Sequence, residues 1–327
     1  MTEYFIKRIF YMIIVIACVS VLAFIVINLP PGDYLTSHMR ELAMEGGTVS
    51  EAQIERLRAR YGLDLPLYQR YFHWVGNMLQ GDFGRSFTYN RPVRELIIER
   101  LPWTIAISLA TMVFEFIVAV PIGIFSAVKQ YSIGDYIFTV LGFIGLAIPN
   151  FLLAIVLMYI FYSQFGVSIG GLFSSEYIRE PWSLAKFLNL LKHIWTPIIV
   201  IGTAGTAGLI RTLRGVLLDE LQKKYVITAR AKGLGEKKLL FKYPVRVALN
   251  PVFSTLGWML PAIVSGEVIT AIVLNLPTTG PVFYNALMDQ DMYLAGSFVM
   301  FLTVLTVVGT LVSDLLLVWA DPRIRYD

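Results

Sequence analysis

Three histidines, three lone acids inside apolar runs and one dense block of bases are the residues of this 327-residue chain with the types to do chemistry. His38, His73 and His193 lie far apart and share no metal-ligand spacing; His73 beside Trp74 reads as part of an interfacial aromatic face. The sequence has no His-Glu-x-x-His pair, no Ser-His-Asp signature and no Gly-x-x-x-x-Gly-Lys-Ser/Thr loop. It therefore offers no basis for zinc hydrolysis, triad catalysis or a phosphate loop of its own. Glu115, Glu267 and Asp314 sit singly in separate apolar runs. An acid in such a place faces an interior rather than lipid. An intramembrane hydrolase would pair such acids, so an interhelical hydrogen bond is the favoured role for each.

The bases have a pattern. Between Arg211 and Arg246 there are ten Lys or Arg and three acids, Asp219, Glu220 and Glu236. Apolar runs of membrane-spanning length flank the stretch from Tyr225 to Pro251 on both sides. A long basic loop between two spans lies in water, on the side where positive charge collects. Thr228 is expected to cap a short helix there, and Gly233 with Gly235 to end it. Leu234, Leu239, Leu240 and Phe241 give that helix an apolar face to offer a partner.

Composition sets the surroundings of this loop. The chain is 56% apolar and 15% charged, with mean hydropathy +0.65, whereas soluble domains carry about 25% charged residues. It requires a membrane or a very large partner. A net charge of +4 is compatible with nucleic-acid binding, but the bases cluster in loops between apolar runs, which topology explains. The single cysteine, Cys18, can form no intrachain disulfide.

Six apolar runs have spanning length: residues 9–29, 103–128, 135–162, 194–216, 252–274 and 294–319. A stretch of roughly 20 residues crosses a hydrocarbon core of about 30 Å. The first run is too long for a signal-peptide core of about 7–15 residues, and it ends in Asn28-Leu-Pro-Pro-Gly-Asp33 without a cleavage site. Non-helical backbone cannot face lipid, so all six are expected to be helices. In the fourth, Gly202, Gly205 and Gly208 point to close helix packing rather than to a ligand.

Between the first two spans, Ser50 and Gln53 form a capping box ahead of Ile54, Leu57 and Tyr61. Tyr68, Tyr71, Phe72, Val75 and Leu79, with Trp74 alongside, recur at helical spacing and suit a helix on the membrane surface or against the bundle. Gly81 to Ser86 reads as a turn. Val93, Leu96, Ile97 and Leu101 then form an amphipathic elbow that Pro102 is expected to separate from the next span. With the N-terminus inside, the cytoplasmic side collects Lys7, Arg8, Lys129, the central block, Arg323 and Arg325. The short outer loops receive only Arg179, Lys186 and Lys192. Both termini are thus expected to be cytoplasmic. The expected division is 1–29 for the N-terminus and first span, 30–102 for an extracytoplasmic helical segment and elbow, 103–320 for a five-helix core containing a cytoplasmic loop at 217–251, and 321–327 for a cytoplasmic tail.

Several stretches in order, Asn28-Leu-Pro-Pro-Gly-Asp33, Tyr61-Gly-Leu-Asp-Leu-Pro-Leu-Tyr68, Gly76-Asn-Met-Leu-Gln-Gly-Asp-Phe-Gly-Arg-Ser86, Glu99-Arg-Leu-Pro102, Thr228-Ala-Arg-Ala-Lys-Gly-Leu234 and Asp321-Pro-Arg-Ile-Arg-Tyr326, carry a resemblance over nearly the whole chain. It resembles the permease subunits of oligopeptide/dipeptide-type ABC importers, specifically the first of their two permeases. The resemblance implies an all-α integral membrane protein with six transmembrane helices in the type I importer architecture, with a long extracytoplasmic segment after the first span. It implies a transport subunit in a prokaryotic cytoplasmic (inner) membrane rather than an enzyme, forming half of a pathway for di- or oligopeptides. The implied partners are a second homologous permease subunit in a heterodimer, two ABC ATPase subunits, an extracytoplasmic substrate-binding protein and the lipid bilayer, with no nucleic acid. No cofactor is implied for this chain; ATP and Mg belong to the ATPase subunits. Relatives of the same type carry oligosaccharides or nickel, which stay as alternatives. A self-contained channel or secondary transporter would show an internal repeat or a charged relay, and neither is visible.

In such importers the cytoplasmic loop carries an "EAA" coupling motif that docks on an ATPase subunit. Laid on this chain, Glu-Ala-Ala falls on Ile227, Thr228 and Ala229, and the motif glycine on Gly233. The resemblance thus implies ATPase coupling by Thr228, Ala229, Arg230, Ala231, Lys232, Gly233, Leu234 and Gly235. Small residues at Ala229, Ala231 and Gly233 allow close entry into a concave surface, while Lys232, Lys237 and Lys238 can meet acids there. The motif's Ile-x-Leu-Pro ending falls on Tyr243, Pro244, Val245 and Arg246, so it is only partly kept. Many members carry a Glu where this chain has Ala271, six residues before the Pro277-Thr-Thr-Gly280 turn. Glu267, one helical turn earlier, joins Asn150 and Asn275 as candidates for the pathway or for interhelical contact.

Overall fold

The computed structural model describes residues 2–29, 65–254 and 268–320. Helices and turns dominate these residues, which include one isolated antiparallel bridge between Arg85 and Pro92. In chain order the helices are α1 (Thr2–Asn28), α2 (Leu67–Leu79), α3 (Val93–Val128), α4 (Ile133–Ala147), α5 (Asn150–Phe165), α6 (Leu184–Leu221), α7 (Lys224–Ala231), α8 (Glu236–Lys242), α9 (Pro244–Ala248), α10 (Val268–Val273), α11 (Thr279–Met288) and α12 (Met292–Ala320). The fold is all-α, as its apolar periodicity and length predict.

Among the described residues, Lys7–Asn28, Val93–Val128, Leu184–Leu221 and Met292–Val312 are long and apolar enough to cross a membrane. The run at 135–162 is not the single rod expected. It is α4 and α5, bent by 102° at Ile148 and Pro149. Pro149 has no N–H to continue the ladder and disfavours helical backbone at its predecessor; Ile148 accordingly takes φ −87°, ψ 120°. Most of the expected run at 252–274, with Glu267, lies outside the described residues, as does the capping box of Ser50 and Gln53.

Pro102 does not separate an elbow from the second span. α3 runs unbroken from Val93 to Val128. A proline inside a helix removes one hydrogen bond and costs about 3 kcal/mol. Buried apolar residues before and after it (Val93, Leu96 and Ile97; Ile107 and Ala119) offset that cost, at about 1.5–3 kcal/mol for each large side chain.

The chain divides into two compact units, Met1–Pro102 with Thr279–Leu305 and Trp103–Thr278 with Thr306–Asp327. In the first, Phe24 of α1 meets the Tyr71 ring edge-on at 5.4 Å and lies beside Trp74 of α2. The Ser20 hydroxyl is 2.8 Å from the Tyr71 hydroxyl. The aromatic stripe of α2 is therefore split: Trp74 is buried against α1, and Tyr68, Phe72 and Leu79 face outward. Beyond α2 the expected turn forms. Gly81 and Gly84 adopt positive φ, and the Asp82 carboxylate accepts from the Gly84 N–H at 2.9 Å. A Cβ on Gly84 would strike the Tyr293 ring, so glycine is required twice over.

Buried Asp291 closes this unit. One carboxylate oxygen caps α12 through the Leu294 N–H, and the other receives the Ser86 hydroxyl and the Phe87 and Thr88 N–H groups. Burial pushes the Asp291 carboxyl up from its ordinary value, against the pull of those four donors.

In the second unit α6 is the common wall, packed by α4, α5 and α9. A Cβ on Gly202 would come 2.9 Å from the Phe114 ring, and one on Gly205 would run into the Glu115 carboxylate. The close approach expected of the glycine series holds at these two positions. Gly208 faces open space instead. Ile107, Ala154, Leu172, Val200, Ala271 and Leu274 make one core, and Ala119, Leu213, Leu217, Val245 and Val252 another. In the first turn of α6, Lys186 is buried: its ammonium donates to the Ile178 and Glu180 carbonyls and lies 5.0 Å from the Phe173 ring and 5.7 Å from that of Trp182.

Candidate functional site

Three short helices follow α6 where the sequence places its basic block. α6 continues to Leu221, and Gln222 and Lys223 lead into α7. Thr228 does not cap this helix. The N-cap is Lys223, in extended backbone and without a side-chain bond, and Thr228 lies inside the helix with its hydroxyl donating to the Lys224 carbonyl at 2.8 Å. A threonine that satisfies its hydroxyl on the preceding turn has no need of a terminal position.

Gly233 ends α7 as expected. Its φ is +78°, its N–H bonds the Arg230 carbonyl, and the Leu234 N–H reaches back to Ala229. Those two bonds form a Schellman motif, in which glycine supplies the left-handed residue. Gly235 has a different task from the one expected: it is the N-cap of α8, at φ −59°. Across the turn, Arg230 grips Glu236 through two hydrogen bonds of 2.6 and 3.1 Å. This pairing holds the Glu236 carboxyl below its ordinary value and raises the guanidinium of Arg230.

The helices rest on the second unit through a few apolar residues. Val226 and Leu239 are wholly buried, and Val245, Ala248 and Val252 pack with Leu213 and Leu217 of α6. Pro244 opens α9, where its missing N–H costs nothing. The Tyr225 hydroxyl donates to the Glu220 carboxylate, and burial, helped by that carboxylate, pushes the phenol well above its ordinary value.

What remains faces outward. Thr228, Arg230, Ala231, Lys232, Gly233 and Gly235 are exposed, and Ala229 and Leu234 are half-buried. Ile227 is 55% exposed and Phe241 62%. A Cβ on Gly233 or Gly235 would meet nothing within 4 Å. The block is thus a bare turn between two anchored helices, flanked by exposed Lys237 and Lys238. The turn thus presents small side chains and positive charge outward.

The other candidates lie elsewhere. Asn150 opens α5 just after the break at Pro149 and is half-buried. Asn275 follows α10 at φ +52°, exposed, with its N–H on the Ile272 carbonyl. Next to it, the Leu274 carbonyl accepts from the Gly171 N–H at 2.6 Å. Ala271 is buried among apolar side chains.

Two charged residues that the sequence reading passed over are joined. Arg214 of α6 donates its Nε and one Nη to the two oxygens of Asp135 in α4, at 2.9 and 2.8 Å. The Tyr131 N–H bonds the same carboxylate at 3.0 Å, and Ser132 caps α4 through the Asp135 N–H. The sequence carried one local signal, Ser132 three residues before an acid; nothing in it joined position 135 to position 214.

Comparison with known proteins places this geometry in context. Residues 119–326 match the family described as "Binding-protein-dependent transport system inner membrane component", and residues 1–110 match the N-terminal part of such components. The oligopeptide transport system permease protein AppB of Bacillus subtilis is 35% identical over 328 residues, covering 100% of both chains. The di/tripeptide transport system permease protein DppB of Pseudomonas aeruginosa is 30% identical and covers 94% of each. A putative peptide permease protein of Brucella ovis is 29% identical over 99% of each.

Proposed function

We propose, from the premise that the chain belongs to the family of inner-membrane components of binding-protein-dependent transport systems, that it forms half of a translocation pathway for di- and oligopeptides. It is a multi-pass inner-membrane protein that belongs to an ABC importer complex. In this reading a second, homologous permease subunit supplies the other half. Two ABC ATPase subunits bind ATP with Mg and hydrolyse it, and an extracytoplasmic binding protein delivers the peptide. Six segments span the membrane, the third of them the bent α4–α5 pair, both termini and the 217–251 loop lie in the cytoplasm, and residues 30–102 lie outside. The peptide class is supported by the oligopeptide and di/tripeptide systems in which relatives of equal length serve.

The observation that carries the coupling role is the bare Ala229–Gly235 turn, stapled by Arg230 and Glu236 and anchored through Val226 and Leu239. ATP-driven closure of the partner can move α6 through this short, stiff body. The test is co-purification of the ATPase subunits, with peptide uptake measured in proteoliposomes. Ala231→Glu and Gly233→Trp are expected to abolish both. Uptake that persists in either variant without bound ATPase overturns the reading.

A further inference from the structure

Resting on the coupling role just proposed, we propose that the Asp135–Arg214 pair is a positioning element for transport: it locks the start of α4 to the end of α6, so that movement of the docking helices turns both together. Arg214 lies between Leu213 and Leu217, the residues that pack against Val245 and Ala248 of α9. The end of α6 therefore holds the docking helices through apolar contacts and α4 through a charged fork. Apolar contact is non-directional and tolerates sliding. A bidentate guanidinium–carboxylate pair fixes distance and angle together. Here the fork is reinforced from the carboxylate's side. The Tyr131 N–H, held in a left-handed turn at φ +63°, and the Ser132 cap leave Asp135 one orientation. The Asp135 side chain is 3% exposed and that of Arg214 26%, so solvent screens the pair weakly. Because α4 ends at the Ile148–Pro149 break, the turn imposed at its start is delivered to that joint.

The experiment uses the assembled importer in proteoliposomes and reads peptide taken up per ATP hydrolysed. Asp135→Asn with Arg214→Gln removes both charges, so neither is left buried without its partner. This double variant is expected to co-purify its ATPases at the wild-type level and to lose about tenfold in peptide per ATP. Arg214→Lys keeps the charge and loses the fork, and an intermediate ratio is expected. An unchanged ratio in the assembled double variant, or in Arg214→Lys, overturns the proposal. Failure of the wild-type chain to retain ATPases overturns the coupling role itself, which separates the two outcomes.

Discussion

The Ser86 hydroxyl donates to the Asp291 carboxylate at 2.6 Å, fastening the loop after α2 to the cap of α12 across 205 positions of sequence. The same oxygen takes two backbone N–H groups. Removing a buried acceptor leaves its donors without hydrogen bonds, which costs more than the bond itself contributes.

Asp291→Ala is therefore expected to lower stability by about 3 kcal/mol, read as a fall in unfolding temperature in detergent. Asp291→Asn retains one oxygen, enough for the cap or the loop but not both, and is expected to lose about half as much. Equal stability of wild type and Asp291→Ala would contradict the clamp.

Two glycines of α6, six residues apart, make opposite predictions. A Cβ at Gly202 meets the Phe114 ring at 2.9 Å and Thr111 at 3.3 Å, whereas Gly208 meets nothing within 4 Å. Gly202→Ala is expected to destabilise by about 1–2 kcal/mol through overpacking. Gly208→Ala is expected to stabilise by up to about 1 kcal/mol through helix propensity. Thermal unfolding of the two single variants distinguishes them, and the same sign for both is the result that sinks this account.

Gly233→Ala isolates backbone cost from contact. Its Cβ would occupy open space, but φ +78° is a left-handed conformation that costs a non-glycine residue about 1–2 kcal/mol. Faster amide exchange at position 233 and at Leu234 and weaker ATPase retention are expected. Gly235→Ala, at φ −59°, is expected to leave both nearly unchanged.

The Arg230–Glu236 staple gives a pH dependence. The guanidinium holds the Glu236 carboxyl below its ordinary value of 4.5, so the folded turn binds that proton less readily than the unfolded chain. Its stabilisation is fully present above pH 4.5 and is lost as the pH falls through the lowered value. Amide exchange at the α7–α8 turn is expected to quicken over that acidic interval, and Arg230→Gln to remove the pH dependence.

How much of this could be read in the chain depends on the range of the interactions. Apolar run length and the spacing of Val93, Leu96 and Ile97 revealed the helices, because a helix face is written in residues three and four apart. Gly233 announced the end of α7 for the same local reason. The break after Ala147 is marked in the chain by Pro149, a local signal that run length alone does not register. Pro102 erred the other way, for burial on both sides carried α3 through it. The Asp135–Arg214 pair and the four donors on Asp291 depend on which elements pack together, and a single sequence does not encode that at any fixed spacing.

The bend between α4 and α5 alters what the bilayer can do to this region. At a rise of about 1.5 Å per residue, helices of 15 and 16 residues reach roughly 22–24 Å each, short of a hydrocarbon core of about 30 Å. Neither piece can match the lipid thickness by itself, so hydrophobic matching does not set their tilts. α4 takes its bearing from α6, and α5 from α6 and α10, by protein contact. The elbow at Ile148 thus frees two half-length rods from the membrane's ruler, and their angle answers to neighbouring helices instead of to lipid.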